Sequence, residues 1–157
     1  MSAAENNTSA ARKAGVEYIG VGVGAFILNE KDEVLMGRRG PTSRNDKDKW
    51  EIPGGEVDFG EEMAHALVRE VEEELGILVE IIELLRVADH ILPEEGQHWI
   101  SPVFICRIIA GEPVIQEPGK CVEIGWFDPE KALEMDLSTI TRGDIEYWLE
   151  KKSILGK

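Results

Sequence analysis

Four glutamates crowd into five consecutive positions of the chain, and their spacing would suit a divalent cation. Glu70, Glu72, Glu73 and Glu74 follow Arg69. On a helix, Glu70 shares a face with Glu73 and Glu74, and each such like-charge pair costs roughly 0.2–0.5 kcal/mol. A hard divalent cation with oxygen ligands would convert this repulsion into coordination. The alternative interpretation, a solvated acidic helix face, is the better one for an arbitrary Glu-rich helix.

A glycine corner in front of the cluster favours the metal interpretation. Pro53-Gly54-Gly55 lacks the side chains that would keep a ligand away from the backbone. Mg²⁺ keeps several waters and takes one or two carboxylates together with phosphate oxygens of a substrate. The sequence therefore predicts a strand, a glycine corner and a carboxylate helix that meet at one place, with a site for Mg²⁺ or Mn²⁺ that a phosphate-bearing substrate completes.

The elements that must position these residues follow from hydrophobic periodicity. An apolar residue at every fourth position predicts a helix over residues 61–75, and Gly76 would end it as a left-handed cap. Alternation predicts a strand over residues 18–28, which the strand 34–39 would join as a hairpin. Residues 40–49 are rich in turn formers and predict a long mobile loop. Further strands are predicted over residues 50–52, 77–91, 98–109 and 122–127, and further helices over 129–135 and 139–151.

One face of the first predicted strand is nearly bare. It carries Gly20, Gly22 and Gly24. Glycines weaken a strand unless a ligand or another chain must approach its backbone closely. Tight packing within the sheet is the equally good alternative. A homodimer would also suit this bare face, and the sequence leaves the oligomeric state open.

Length and charge limit the class of protein. The 157 residues, 43% of them hydrophobic, suit one domain over residues 17–157 with a tail over residues 1–16. The apolar runs are too short to cross a bilayer and no secretion signal is visible, so we expect a cytoplasmic protein without a membrane partner. A net charge of -14 disfavours polymeric nucleic acid. Cys106 and Cys121 lack metal-binding spacing and are expected to be reduced packing residues.

The residues from Gly55 to Ile77 resemble the Nudix box at every defined position. They read Gly55, five residues, Glu61, seven residues, Arg69-Glu70-Val71, one residue, Glu73-Glu74, one residue, Gly76-Ile77. Fixed residue types at fixed spacing make this pattern highly specific. The resemblance implies an α/β fold, the Nudix α/β/α sandwich with a mixed β-sheet, and hydrolysis of a nucleoside diphosphate linked to a further group.

The resemblance also assigns roles to residues of the cluster. It makes Glu70, Glu73 and Glu74 the metal-binding carboxylates, with the Gly54 carbonyl as a further ligand. Arg69 would orient a carboxylate, and we choose Glu73 as the general base. That role varies within the family, so another cluster glutamate or a loop carboxylate is the alternative. Arg69, Glu70 and Glu73 are thus the predicted catalytic residues.

Substrate specificity must come from residues outside the cluster. Arg39 would pair with a phosphate, since a planar guanidinium does this well, although a surface arginine is an equal alternative. Gly55 would let the substrate approach the backbone. Trp50, Phe59 and Trp99 are candidates for stacking on a base, although a tryptophan at a strand end is more often a core residue.

The stretches that flank the box are similar to the nucleoside triphosphate diphosphatase branch of the family. This similarity implies that a (deoxy)nucleoside triphosphate is converted to monophosphate and pyrophosphate. Pro93 lies close to where ADP-ribose-cleaving relatives have a proline, so ADP-ribose or a nucleotide sugar is the alternative substrate. A nucleotide-binding regulator without catalysis is the alternative from another class.

Overall fold

The computed structural model describes residues 11–156, which form a sandwich of helices around β-sheets. The strands are β1 (Gly20–Ile27), β2 (Val34–Arg39), β3 (Trp50–Glu51), β4 (Gly54–Glu56), β5 (Leu78–Leu92), β6 (Gln97–Ala110) and β7 (Cys121–Phe127). The helices are α1 (Met63–Leu75), α2 (Pro129–Ala132) and α3 (Thr139–Leu155), and a 3₁₀ turn covers Pro93–Glu95. The predicted α/β class and sandwich architecture are confirmed.

The strands form two sheets rather than one. Strands β4, β1, β6 and β5 form a mixed sheet in this order, in which β1 and β6 are parallel. Strands β3, β2 and β7 form an antiparallel sheet. The predicted hairpin of β1 and β2 is wrong, because both edges of β1 are already paired, with β4 and β6. Their backbone pairing is limited to one antiparallel bridge between Leu28, the residue after β1, and Val34.

Alternation along β1 divides the core into two layers. Val23, Ala25 and Ile27 are buried with the apolar stripe of α1, whereas Phe26 is buried with Trp148 of α3, at 5.8 Å between ring centroids. The two helices therefore cover opposite faces of the mixed sheet, as successive side chains of a strand point to opposite sides. Gly54 and Gly55 of the corner are partly exposed.

Helix α1 follows the predicted pattern closely. Leu67, Val71 and Leu75 are buried, and Gly76 ends the helix at a φ of 65°. A left-handed residue at this position leaves the last helical carbonyls satisfied, and here the Gly76 amide donates to the Glu72 carbonyl. The helix begins at Met63, two residues later than predicted. Its register places the acidic residues beside β4.

The bare face of β1 has two different neighbours. A Cβ atom at Gly20 would lie 2.4 Å from the Trp99 ring, so this glycine makes room for packing. Gly22 and Gly24 instead line an open cleft. Cβ atoms at Gly22 and Gly24 would also lie within 3.3 Å of neighbouring atoms, so tight packing accounts for all three glycines. Approach of a ligand to the strand stays a prediction.

The described part of the predicted tail lies against β6, and the predicted loop is closed by hydrogen bonds. The His98 amide donates to the Gly15 carbonyl at 2.8 Å, while residues 1–10 lie outside the described residues. In the loop, the Asp48 amide donates to the Arg39 carbonyl at 3.0 Å, and the Arg39 side chain donates to the Asn45 carbonyl at 2.8 Å. Within residues 11–156, no helix has both the length and the hydrophobicity needed to cross a membrane.

Candidate functional site

A cleft of about 500 Å³ opens between the glycine corner, the C-terminal part of α1 and the N-terminal turns of α3. The bare part of β1 forms its floor, and the loop of residues 40–49 reaches its rim. The cleft thus lies where the sequence predicts the strand, the corner and the carboxylate helix to meet.

Glycine residues let α1 approach the corner closely. A Cβ atom at Gly55 would lie 2.2 Å from the Glu70 carboxyl carbon, so only glycine leaves that carboxylate in place. The Gly54 amide donates to the Glu74 carboxylate at 3.4 Å. Glu70 and Glu74 therefore face the cleft directly beside the backbone of β4.

The carboxylates at this end of the cleft have raised pKa values. Burial, together with the negative charges of Glu51 and Glu70, raises the pKa of Glu74 to about 8. Burial also raises the pKa of Glu70, against the lowering effect of Arg69. Clustered, partly buried carboxylates with too few positive neighbours fit a hard divalent cation, which would favour their charged forms.

Glu73 is the one predicted metal ligand that stands apart. Its side chain is 56% exposed and contacts the Arg69 guanidinium at 3.3 Å. It does not line the cleft. Among residues 11–156, no three His, Cys, Asp or Glu side chains are gathered into a preformed metal site. The roles of Glu73 as ligand and as base stay predictions, and they require its side chain to turn toward the corner.

Arg69 ties the acidic cluster to the loop in front of the helix. Its guanidinium donates to both oxygens of Glu61, at 2.7 and 2.9 Å, and to Glu70 at 2.8 Å. It also donates to the Glu56 carbonyl at 3.2 Å. The hydrogen bond from Arg69 lowers the pKa of Glu61 to about 2. Arg69 thus bridges Glu61 and the Glu70 carboxylate. Its orienting role in the site stays a prediction.

Replacing Arg69 with lysine should reduce metal-dependent turnover about 10–100-fold, the typical cost of losing a group that orients a metal ligand. A single ammonium cannot bond Glu61, Glu70 and the Glu56 carbonyl in the planar arrangement that a guanidinium allows. The check is kcat and the Mg²⁺ concentration for half-maximal activity. Arg107→Lys, at an exposed position of β6, is the matched control. Equal kinetics in the two variants would contradict the orienting role.

The structure places some of the predicted substrate-binding residues in the cleft and others outside it. Arg39, Gly55 and Trp99 line the cleft. Arg39 is already bound to Glu51 and to Asn45, and the Trp99 indole donates to Gln97 at 3.1 Å. The structure does not bring two of the aromatic candidates into the cleft. Trp50 packs edge-on against Phe127 at 4.9 Å between centroids, and Phe59 is fully exposed in the turn before α1.

Several cleft residues were missed by the sequence reasoning. The negative charges of Glu51 and Glu117 raise the pKa of Glu74. Both residues line the cleft, and Lys120 lines it as well. Glu51 comes just before the glycine corner, which was a usable signal. Glu117 and Lys120 lie in the loop before β7, where no sequence pattern pointed to them. The α3 wall of the cleft, formed by Ser138, Ile140, Thr141 and Asp144, was missed as well.

Comparison with known proteins agrees with the fold and the box. The NUDIX domain family model matches residues 19–148. The MutT NUDIX hydrolase from Burkholderia pseudomallei is 37% identical, with a TM-score of 0.74, over 83% of this chain and 98% of that one. The MutT protein from Methanosarcina mazei Go1 is 30% identical, with a TM-score of 0.75, over 85% and 96% of the two chains. The chain belongs to the Nudix hydrolase family.

One curated relative has a name that states an activity. The 8-oxo-dGDP phosphatase NUDT18 of Mus musculus is 35% identical over 105 residues, which are 66% of this chain and 30% of that protein. The chain spans about a third of the length of the first curated relatives that it matches.

Proposed function

We propose that this protein uses Mg²⁺ to hydrolyse a nucleoside diphosphate linked to another group, with a (deoxy)nucleoside triphosphate as the leading substrate and monophosphate and pyrophosphate as products. One observation carries this proposal. The partly buried Glu74 lies beside Glu70 and the glycine corner, in a cleft large enough for a nucleotide. The MutT names of the two structural relatives and the nucleotide in the name of the mouse relative support the substrate class.

Different residues of the cleft would bind the cation, attract the phosphate and accept the proton. Glu70 and Glu74, with the Gly54 carbonyl, would hold the cation, and Mn²⁺ would serve in place of Mg²⁺. When bound, such a cation neutralises phosphate oxygens and makes a water more acidic. Lys120 lines the same end of the cleft and would attract a substrate phosphate. A carboxylate must then accept the proton of the attacking water. Glu73 is the choice from sequence, and Glu51 and Glu117 are the alternatives that face the cleft.

ADP-ribose or a nucleotide sugar is the alternative substrate. Its support in the sequence was Pro93, which occupies the first position of the 3₁₀ turn between β5 and β6. A proline is favoured there because its fixed φ suits the start of a helical turn. Pro93 does not line the cleft, so the turn explains it without a substrate.

A substrate panel with Mg²⁺ tests the proposal. Release of pyrophosphate from triphosphates would support the leading substrate. Release of AMP from ADP-ribose without pyrophosphate would support the alternative, and nucleotide binding without turnover would support a regulator. Glu73→Gln is the companion variant, and full turnover in it would remove Glu73 from the mechanism. The cytoplasmic location and the homodimer also remain proposals, which fractionation and sedimentation would test.

The raised pKa of Glu74 predicts that the metal-free protein becomes less stable as pH rises. A carboxyl whose pKa is raised in the folded state stabilises the fold below its unfolded pKa of about 4.5, and this contribution is lost as pH approaches 8. We expect a loss on the order of 2 kcal/mol between pH 5 and pH 8.5 in EDTA. Saturating Mg²⁺ should reduce the loss, because a bound cation favours the carboxylate. Urea unfolding across this pH range is the measurement.

The variant Glu74→Gln isolates this effect from the other carboxylates. In EDTA, its stability should depend on pH less steeply than that of the wild type. Identical pH slopes in the two proteins would contradict the assignment of the raised pKa to Glu74.

A further inference from the structure

Asp144 carries an unpaired oxygen into the α3 wall of the cleft. Its side chain has no exposed surface, yet the residue lines the cleft. Its Oδ1 accepts a hydrogen bond from Arg86 at 2.7 Å, whereas no donor among the described residues reaches Oδ2. A buried polar atom without a partner costs about 1–3 kcal/mol. Such an atom at a cleft wall suits a partner that arrives with the ligand.

Arg86 reaches Asp144 from outside the cleft. It belongs to β5, and its guanidinium also contacts the Ile140 carbonyl at 3.4 Å. A Cβ atom at Gly143 would lie 2.6 Å from this guanidinium, so the glycine in α3 leaves room for it. The arginine is therefore held between β5 and the first turns of α3, and only one oxygen of the carboxylate is used.

Arg86 is also the charged group that dominates the surroundings of Asp144. Helix α3 packs mainly against β5, β3 and α2. Its Trp148 also contacts Phe26 of β1, a strand without titratable side chains. From β3, Glu51 is bound to Arg39, and in α2 the side chains of Glu130 and Lys131 are exposed. Burial raises the pKa of Asp144 to about 6, and the charge and hydrogen bond of Arg86 are what oppose this rise.

We propose that Arg86 is a positioning residue that keeps the Asp144 carboxylate charged, so that its free oxygen accepts a hydrogen bond from the exocyclic amino group of the bound nucleobase. This inference rests on the proposed nucleotide substrate. A carboxylate repels phosphate, so the part of the ligand at the α3 wall must be neutral. A protonated Asp144 would instead donate a hydrogen bond and would favour a base with a carbonyl at that place.

The test is equilibrium binding of α,β-imido triphosphates, which resist hydrolysis between the α and β phosphates, in the presence of Mg²⁺. The matched pairs are dCTP with dUTP and dGTP with dITP, since within each pair only the first base carries the exocyclic amino group. We expect wild type to bind the amino member of at least one pair about tenfold more tightly at pH 7.5, because a site built around one hydrogen bond rejects the analogue that lacks it. This preference should weaken as pH falls below 6.

Three variants separate charge from structure. Arg86→Lys keeps a positive charge and should keep most of the preference. Arg86→Gln leaves the buried carboxyl without a counter-charge, so the preference should disappear at pH 7.5 and return as pH rises toward 9. Asp144→Asn should lack the preference at both pH values. A merely structural role of Arg86 would not give recovery at high pH, and thermal unfolding of each variant checks that it is folded.

Several outcomes would overturn the inference. They are a wild type without base preference, a preference that survives in Arg86→Gln at pH 7.5, and a preference that Asp144→Asn leaves unchanged. Discrimination of CTP from dCTP that depends on Asp144, with no amino preference, would assign the oxygen to a ribose hydroxyl instead. Turnover of the natural nucleotides is measured separately. Base preference without hydrolysis would reject the proposed activity and leave this inference standing, whereas absence of binding by all the nucleotides would overturn both.

Discussion

Replacing Glu74 with glutamine should lower kcat about 10²–10³-fold, the range seen when one preorganised electrostatic group is removed from an active site. Burial and the acidic neighbours of Glu74 raise its pKa to about 8. Its carboxylate also accepts a hydrogen bond from the Gly54 amide at the corner. Glutamine keeps the size of the side chain but removes the charge that would hold the cation. Steady-state hydrolysis at several Mg²⁺ concentrations is the measurement.

The neighbouring Glu72 provides the matched control. It lies on the same helix turn, is exposed and does not line the cleft. Glu72→Gln therefore makes the same change in net charge without touching the site, and its kcat should stay within about twofold of wild type, as expected for an exposed charge in high dielectric. Parallel losses in the two variants would show that total charge, and not the position of Glu74, controls activity.

The two corner glycines should respond to alanine in opposite ways. At Gly55 the added Cβ atom would meet the Glu70 carboxylate, which is the end of a flexible side chain and can swing away. We expect Gly55→Ala to lose activity about 10²-fold with little change in stability, because the displaced group is a predicted metal ligand. At Gly54 the Cβ atom would lie 2.1 Å from the Val23 carbonyl, which belongs to the paired strand β1 and cannot yield.

Gly54→Ala should therefore lose stability, by about 1–3 kcal/mol or more, as is typical of overpacking against a fixed neighbour. Urea unfolding and Mg²⁺-dependent hydrolysis, measured on both variants, separate the two effects. Gly60→Ala is the control, since nothing lies within 4 Å of a Cβ atom there. Because Gly60 has a φ of 84°, this control should show only a backbone cost of about 1 kcal/mol. A stable and active Gly54→Ala protein would contradict the close packing of β4 on β1.

Features that depend on near neighbours in the chain were predictable. The four-residue apolar period, the glycine cap at Gly76 and the spacing of the acidic residues gave helix α1 and the Nudix family correctly. The alternation in β1 gave its two faces. These signals are local, because residues three or four apart in a helix, or two apart in a strand, are fixed neighbours whatever the rest of the chain does.

Features that depend on distant parts of the chain were not predictable. The partition into two sheets broke the expected hairpin, because strand partners are chosen by topology and not by proximity in sequence. The spacing of the glutamates placed Glu73 in the cluster but could not show that its side chain contacts Arg69 and solvent. Nor could it show that Glu51 and Glu117 lie near Glu74 in the cleft.

The sequence by itself determined that a carboxylate helix follows a glycine corner, and hence the family and the place of the proposed chemistry. Only the tertiary structure decided which acids face the cleft and what lies on its other wall. Arg86 and Asp144 are 58 positions apart, and no local pattern relates them. They meet because α3 packs against β5 of the mixed sheet, where burial makes an unpaired carboxylate oxygen energetically significant.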